Sequence, residues 1–390
     1  MANQGTIDNT IQPTFWLNAF DEMDAGMYNL HKNVSRKVES ILGTKGKSVS
    51  VPLTPDLGRA KNYTPGSTIK KSAIDQKSVE VTLDRSINKT ITLNDEELSM
   101  TELELIKGYG VPMAESLLRT VGEDIYLEMM KSKYFIDATG GLAATNILAA
   151  KAALSKRKVG GTGRRIFAGV DDYNTMAGFT NWENFAYSGE KANLQEGIAA
   201  RKYGFDIYEE SAIDNHAPSD MVGAINGIGH NTGATTITVD GFTDAVGTDS
   251  DGDVNVGLAK GSILPGDTFK ITGETGTPLH TVISTVRTSD ATTSISFYPA
   301  LAGNVADDAA VTFVARRSIL AYHPAGIAFA ARPYKPVVES SGVRSDVFVI
   351  NGIPVRISTW YENLVLNLQM DLVYGVKTIN ENRIQRIITA

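Results

Sequence analysis

The side chains of this sequence best suited to acid–base or metal chemistry are its five histidines, His31, His216, His230, His280 and His323. No two of them stand at a metal-ligand spacing such as His-x-x-x-His. Each is therefore interpreted as a surface or structural histidine. The chain has no cysteine, which excludes thiolate catalysis, iron–sulfur clusters, cysteine-ligated zinc and disulfides.

One segment imitates a phosphate-binding loop. Residues 43–48 read Gly-Thr-Lys-Gly-Lys-Ser, which ends as that motif does. The first glycine that the motif requires falls at Ile41, and the alternation after Ser48 predicts a strand where a phosphate loop needs a helix. The segment is therefore not interpreted as a nucleotide site.

A second segment imitates a calcium loop. Aspartates alternate at Asp249, Asp251 and Asp253, but the glycine comes at the fourth position instead of the sixth. The twelfth position, where glutamate is needed, holds Lys260. A solvated acidic turn is favoured over a weak calcium site, so we expect no metal.

Other catalytic and binding motifs are missing from the sequence. It contains no Gly-x-Ser-x-Gly nucleophile elbow and no Gly-x-Gly-x-x-Gly dinucleotide fingerprint. Adjacent carboxylates such as Glu96 and Glu97 diverge on a helix or strand, and the basic runs 156–158 and 164–165 are short. The sequence therefore predicts no enzyme, no cofactor and at most incidental contact with nucleic acid.

The charges are unevenly distributed along the 390 residues, which carry a formal net charge of −7. Residues 220–315 hold 3 basic and 11 acidic residues, whereas the remainder holds 34 basic and 33 acidic residues. The acidic excess therefore lies in one segment, which is also rich in Thr, Gly and Asp. Residues 1–12 lack the features of a signal peptide, and the most apolar helical stretch, 142–154, is too short to span a bilayer. We expect a soluble protein made in the cytoplasm, with no membrane partner.

The first third of the chain alternates between helical and extended patterns. Apolar spacing over residues 13–30 predicts an amphipathic helix, and period-two alternation over 49–53 and 79–83 predicts two strands. Proline and glycine interrupt the connection between these strands, as in a projecting hairpin. Its basic residues are Arg59, Lys61, Lys70 and Lys71.

The remaining elements combine helices and strands. A long amphipathic helix of about 35 Å is predicted over residues 112–134 and a second helix over 142–154. Five or six short strands in 220–315 indicate a small barrel or sandwich. Asn351-Gly352 predicts a tight hairpin, and residues 364–372 alternate as a half-buried strand.

This order of elements resembles the major capsid (coat) proteins of tailed bacteriophages with the Hong Kong 97 type fold, in particular the short-tailed phage branch with an inserted β-barrel. Three segments resemble the family. The first is residues 260–271 (Lys-Gly-Ser-Ile-Leu-Pro-Gly-Asp-Thr-Phe-Lys-Ile), the second is residues 346–357 (Asp-Val-Phe-Val-Ile-Asn-Gly-Ile-Pro-Val-Arg-Ile), and the third is Tyr374-Gly-Val376. The resemblance implies an α+β capsid fold with an inserted small all-β barrel. It divides the chain into an N-terminal arm (1–45), an extended hairpin loop and adjoining strand (46–93), a peripheral domain with the spine helix (94–140), a first part of the axial domain (141–219), the acidic barrel (220–315) and a return with the closing strands (316–390).

The resemblance implies assembly in place of catalysis. Subunits would form hexamers and pentamers of an icosahedral shell around double-stranded DNA, which is contacted without sequence specificity. The basic hairpin residues would meet carboxylates of an adjacent subunit, with Glu115, Glu123, Asp124 and Glu128 as the candidates. A solvated basic loop is the less favoured alternative. We expect no covalent cross-link between subunits.

The resemblance also implies partners and a location. Because the fold-like pattern begins by about Pro13, we expect a separate scaffolding protein, and a portal during assembly. The protein would assemble in the host bacterial cytoplasm and reside in the virion, with the acidic barrel on the outer surface. The alternatives are a phage tail or decoration protein, and an enzyme with an unusual site.

Overall fold

A computed structural model describes residues 29–38, 46–53, 60, 62, 65, 68, 76–93, 106–179, 201–211, 213, 222–227, 229–240, 263, 265–287, 292–314, 317–336, 343–362 and 365–389. The chain divides into two compact units. The described residues of the first unit lie within 34–117 and 327–380, and those of the second within 24–33, 118–326 and 381–390. The predicted N-terminal helix lies outside the described residues, apart from Asn29 and Leu30.

The described part of the chain combines α-helices with many strands. The α-helices are α1 (Val111–Met130), α2 (Ala144–Lys156) and α3 (Val170–Ala177). The strands of its first half are β1 (Ser48–Pro52), β2 (Ser78–Thr82), β3 (Arg85–Leu93), β4 (Phe135–Asp137), β5 (Arg164–Ala168), β6 (Arg201–Lys202), β7 (Phe205–Glu209), β8 (Val222–Ile225) and β9 (Thr236–Asp240). Those of its second half are β10 (Thr268–Ile271), β11 (His280–Arg287), β12 (Thr292–Tyr298), β13 (Ala310–Val314), β14 (Arg317–Tyr322), β15 (Ile327–Arg332), β16 (Val343–Ile350), β17 (Ile353–Glu362), β18 (Val365–Thr378) and β19 (Ile384–Thr389).

The first unit is built on one antiparallel sheet and a two-stranded hairpin. In the sheet β18 pairs with β3, β15 and β17, and β16 pairs with β17. The turn between β16 and β17 holds Asn351 and Gly352 at φ of 49° and 83°, the left-handed geometry that the tight hairpin predicted there requires. Strand β18 is buried at nine of its 14 positions. The predicted strand over 364–372 is present and its apolar residues Leu366, Leu368, Met370 and Leu372 are buried, but Asn367 and Asp371 on the opposite face are buried as well.

The second unit contains a six-stranded mixed sheet in the order β4-β19-β14-β5-β7-β6. Strand β19 is buried at every position, and the core beneath the sheet takes Ile147 and Leu154 from α2. Helix α2 begins after Ala143, whose N–H donates to the Asn146 side chain at 2.9 Å, so one of the open N–H groups near the helix start is satisfied.

The second unit also contains a closed barrel of six strands in the order β10-β11-β12-β9-β8-β13. The prediction of mixed helix and strand content with a small β-barrel is confirmed. The barrel strands all occur between β7 and β14, which belong to the six-stranded sheet. Inward-facing side chains such as Ile237, Phe269 and Ile295 fill the barrel, as the alternation along its strands predicts.

Buried contacts fix the barrel to the sheet within the second unit. Arg386 of β19 is fully buried, and its guanidinium donates to the carbonyl of Gly266 at 2.8 Å and to the hydroxyl of Thr281. Gly266 has a φ of +98°, and a Cβ at this position would lie 2.3 Å from the Met130 carbonyl oxygen. Only glycine fits such an approach, so the end of α1 and the barrel are packed backbone to backbone.

Helix α1 is shorter than its sequence pattern predicts. It ends at Met130, followed by a turn in which the Ser132 N–H donates to the Met129 carbonyl at 3.1 Å. At 20 residues it is about 30 Å long. The predicted residues 131–134 lead instead into β4, because Phe135 and Ile136 pair with β19.

Candidate assembly surface

The hairpin formed by β1 and β2 has the geometry that its alternation predicts. Its strands pair antiparallel from Ser48 with Thr82 to Pro52 with Ser78. Polar residues Ser48, Ser50 and Glu80 are exposed on one face. The predicted contact residues Arg59, Lys61, Lys70 and Lys71 lie in the connection between these strands and outside the described residues.

The inner face of the hairpin is anchored in the first unit. Val81 and Leu83 are buried in a cluster with Val38, Ala328 and Ala330. On β18, Gly375 passes so close to β2 that a Cβ would lie 1.9 Å from the Thr82 carbonyl oxygen. The base of the hairpin is therefore held by apolar burial and by a backbone approach that excludes any side chain.

A cavity of about 500 Å³ opens beside this base, and we name it the hairpin-base cavity. Its lining includes the cations of Lys47, Arg85 and Arg332 and the carboxylate of Asp84. Arg332 donates to the Gly46 carbonyl at 2.9 Å. Sequence reasoning missed this basic lining, although Lys47 and Arg85 stand at the strand ends that face it.

Tyr334 contributes the aromatic wall of the hairpin-base cavity. Its hydroxyl lies 2.6 Å from the Ser86 hydroxyl, and the guanidinium of Arg356 lies 5.0 Å from its ring centroid. Arg356 also donates to both carboxylate oxygens of Asp371, at 3.0 and 2.5 Å. This bidentate pair fixes the guanidinium over the ring, where cation–π attraction contributes as well.

The four acidic residues predicted for the same interface all lie on α1, in differing environments. Glu128 is buried and 2.6 Å from the Lys131 ammonium, and Glu123 accepts a hydrogen bond from Arg119 at 2.8 Å. Glu115 and Asp124 are half-buried. Glu115, Glu123 and Asp124 are thus each partly exposed, whereas Glu128 is not.

The described histidines have structural partners. His230 accepts from the Thr238 N–H at 3.3 Å, His323 accepts from the Ala325 N–H at 3.2 Å, and His31 is buried. His280 is paired with Glu274 inside the barrel. Within the described ranges no three His, Asp or Glu residues are grouped so as to hold a metal ion, and no helix is long and apolar enough to cross a membrane.

Several titratable groups of the second unit have shifted pKa values, among them His323 and Asp172. Burial, followed by the cations of Arg383, Arg164 and Arg165, lowers the pKa of His323. Burial raises the pKa of Asp172, although the Thr389 hydroxyl donates to its carboxylate and Arg317 lies near. Both groups belong to packed structure and face no reactive partner among the described residues.

The sequence matches no family model and no curated protein. Solved structures do resemble it. A chain of Mycobacterium phage Che8 is 13% identical and has a TM-score of 0.51, covering 91% of this chain and 89% of its own length. A chain of the capsid of cyanophage P-SCSP1u is 11% identical and has a TM-score of 0.47, and the match covers 89% of this chain and 84% of that one. A chain from the mature capsid of bacteriophage PhiM1 is 11% identical and has a TM-score of 0.46, and the match covers 89% of this chain and 83% of that one. At these identities the likeness to the Che8 chain shows a shared fold.

Proposed function

We propose that this chain is a capsid protein that forms the shell of a tailed bacteriophage. The observation that carries the proposal is the fold shared with a chain of Mycobacterium phage Che8 over 91% of this chain. The anchored hairpin supports it, because a two-stranded hairpin is at most marginally stable alone and gains stability when it lies against other protein. The arrangement proposed is the Hong Kong 97 type, in its short-tailed branch.

In this proposal the subunits form hexamers and pentamers, and the virion is their location. Assembly takes place in the host cytoplasm with a scaffolding protein and a portal, and the shell encloses double-stranded DNA without sequence-specific contacts. The protein has no catalytic role. The division of the chain into an arm, a hairpin loop, peripheral and axial domains and the acidic barrel is part of the same proposal.

Negative-stain electron microscopy of the purified chain, expressed with and without the other proteins of its phage, tests the proposal directly. Closed shells or rings of five and six subunits are the expected result. Fibres, or binding to preformed shells only, would favour a tail or decoration protein. A monomer that stays monomeric under both conditions would contradict a shell role.

The subunit contact proposed is between the basic hairpin residues and the half-buried carboxylates of α1, Glu115 and Asp124 among them. Reversing two charges, in Lys70→Glu with Lys71→Glu, should lower shell yield at least tenfold because like charges then face each other. Adding Glu115→Lys and Asp124→Lys should restore part of that yield. Lys156→Glu with Lys158→Glu, at the end of α2, is the matched control and should assemble normally. Failure of the added reversals to restore yield would place the hairpin partner elsewhere.

A further inference from the structure

The hairpin-base cavity carries an excess of positive charge that the proposed subunit contact does not use. The basic residues Lys47, Arg85 and Arg332 line it, and the carboxylate among its described lining residues is that of Asp84. Three positive charges and one negative charge give this lining a net charge of +2. Like charges gathered around one cavity repel each other, and an anion placed among them would relieve that repulsion.

The floor of the cavity is a single row of side chains across the sheet. In the strand register, Val373 of β18 lies opposite Ser86 of β3 on one side and opposite Arg332 of β15 on the other. Residues directly opposite each other on antiparallel strands project from the same face of a sheet. All three residues also line the cavity, so a cation, a hydroxyl and an apolar side chain stand side by side on its floor.

Hydrogen bonds fix the segment that carries Lys47. The Leu83 N–H donates to the Lys47 carbonyl at 2.8 Å, and the Arg332 guanidinium donates to the Gly46 carbonyl at 2.9 Å. A carbonyl group is neutral, so the second bond does not cancel the positive charge of Arg332. These walls are therefore ordered before any ligand enters, which lowers the entropy cost of binding.

Tyr334 gives the cavity a second kind of surface. The residue is 37% exposed, and the Arg356 guanidinium, 5.0 Å from its ring centroid, holds the ring in place. At about 500 Å³ the cavity is much larger than an inorganic phosphate ion and has the size of pockets that take whole small molecules. An anion that fills it therefore has an organic part, which can pack against the phenol ring.

The charge of the lining favours a phosphate over a carboxylate. A phosphate monoester carries a charge of about −1.5 to −2 near pH 7, which balances the lining, whereas a carboxylate carries a single charge. Its outer oxygens also accept several hydrogen bonds at once, and the lining offers guanidinium, ammonium and hydroxyl donors.

We propose that the hairpin-base cavity binds an organic phosphomonoester, with the phosphate at Lys47, Arg85 and Arg332 and the organic part against Tyr334. This inference goes beyond the shell role and does not depend on it. The ligand would join the hairpin to the sheet, because Lys47 immediately precedes β1 and Arg332 ends β15. At 100 times its Kd, a ligand of the closed base lowers the fraction of chains with an open base about hundredfold.

Isothermal titration calorimetry of the full chain tests the proposal, with adenosine 5′-monophosphate as the probe. The monophosphate should bind about tenfold more tightly than inorganic phosphate, because its organic part adds contacts with Tyr334. Adenosine, which lacks the phosphate, should not bind, and added salt should weaken binding of the monophosphate. Absence of monophosphate binding, or equal affinities for adenosine and its monophosphate, would overturn the proposal.

Lys47→Gln tests whether the binding occurs in this cavity, and Lys77→Gln is its matched control. Both lysines are exposed and flank the same hairpin, but Lys77 lies at the other end of the strands, where its carbonyl accepts from the Leu53 N–H. Lys47→Gln should raise the Kd of the monophosphate about tenfold, the scale of one charge-assisted hydrogen bond. Lys77→Gln should leave it unchanged, and equal Kd values for the two variants would contradict the proposed site.

Tyr334→Leu separates the organic part of the ligand from its phosphate. It should weaken binding of the monophosphate about tenfold and leave the affinity for inorganic phosphate unchanged. Equal losses for both ligands would show that the ring only supports the cavity, which would overturn the placement of the organic part.

A short DNA duplex without terminal phosphates distinguishes nucleic acid from a small phosphomonoester as the source of the phosphate. The duplex should bind more weakly than adenosine 5′-monophosphate, because each of its phosphodiesters carries a single charge. Tighter binding of the duplex that is lost in Lys47→Gln and kept in Lys77→Gln would make the cavity a nucleic-acid contact, and the proposal would be wrong. In the parent chain, saturating monophosphate should also slow trypsin cleavage within residues 53–77, and an unchanged rate would contradict the joining of hairpin and sheet.

Discussion

His323 shows how one half-buried side chain links the stability of the second unit to pH. Its Nδ1 accepts the Ala325 N–H, while Arg383, Arg164 and Arg165 add positive charge around the ring. Burial and these cations lower its pKa, so the folded chain takes up this proton less readily than the unfolded chain. The stabilising effect is complete above about pH 6.5 and is lost as the pH falls toward the folded-state pKa.

His323→Asn should remove this acid-side loss. The asparagine side-chain oxygen can accept the same hydrogen bond from the Ala325 N–H, because asparagine often accepts from the backbone N–H two residues further along the chain. Unlike histidine, asparagine does not titrate. Urea midpoints measured from pH 7.5 to pH 5 should fall less steeply for the variant than for the parent chain. Parallel curves would show that the proton is taken up elsewhere.

Among the elements, β18 decides how the hairpin is attached. Gly375 has no side chain at the point where β18 passes β2, which lets the Thr82 carbonyl approach. Any larger residue there must displace backbone on one side or the other. The hairpin base thus depends on one glycine as well as on the buried Val81 and Leu83.

Gly375→Ala should destabilise the first unit by about 1–3 kcal/mol, the scale of a forced overpacking. It should also speed proteolysis within residues 53–77. Gly108→Ala is the matched control, because Gly108 also lies outside the left-handed region and a Cβ there meets nothing within 4 Å. Urea unfolding and limited trypsin digestion measure both effects. Equal unfolding midpoints and equal digestion rates of Gly375→Ala and Gly108→Ala would show that β2 can move away from β18 without loss of stability.

For the molecule as a whole, the uneven charge distribution suits the proposed role of a subunit that packs against copies of itself. Outside residues 220–315 the net charge is +1, whereas the segment containing the barrel carries −8. In the proposed shell, like-charge repulsion between body regions would therefore be small, while a negatively charged module would limit unwanted association of particles.

A denaturing gel of assembled particles should show a single band at the size of one chain. Assembly would rest on noncovalent contacts, since cysteine is absent and no motif in the sequence marks a residue pair for an isopeptide bond. A ladder of multimers that resists boiling in detergent would contradict this expectation. Omitting reductant should change nothing, because the chain cannot form disulfides.

The sequence by itself determined the kinds of local structure. Period-two and 3.6-residue patterns predicted the hairpin strands, α1 and most barrel strands within a few residues, because side-chain alternation depends on local burial. Asn351-Gly352 predicted its turn from backbone preference alone. The absence of cysteine and of catalytic motifs likewise required no structure.

Only the tertiary structure decided which distant residues meet. The pairing of His280 with Glu274, the reach of Arg386 to Gly266 and the approach of Thr82 to Gly375 join positions that no sequence period relates. It also showed that Glu128, acidic and on the polar side of its pattern, is buried and pairs with the exposed Lys131. The physical reason is that burial on a second face and close backbone approach arise from packing between elements, which a local pattern does not encode.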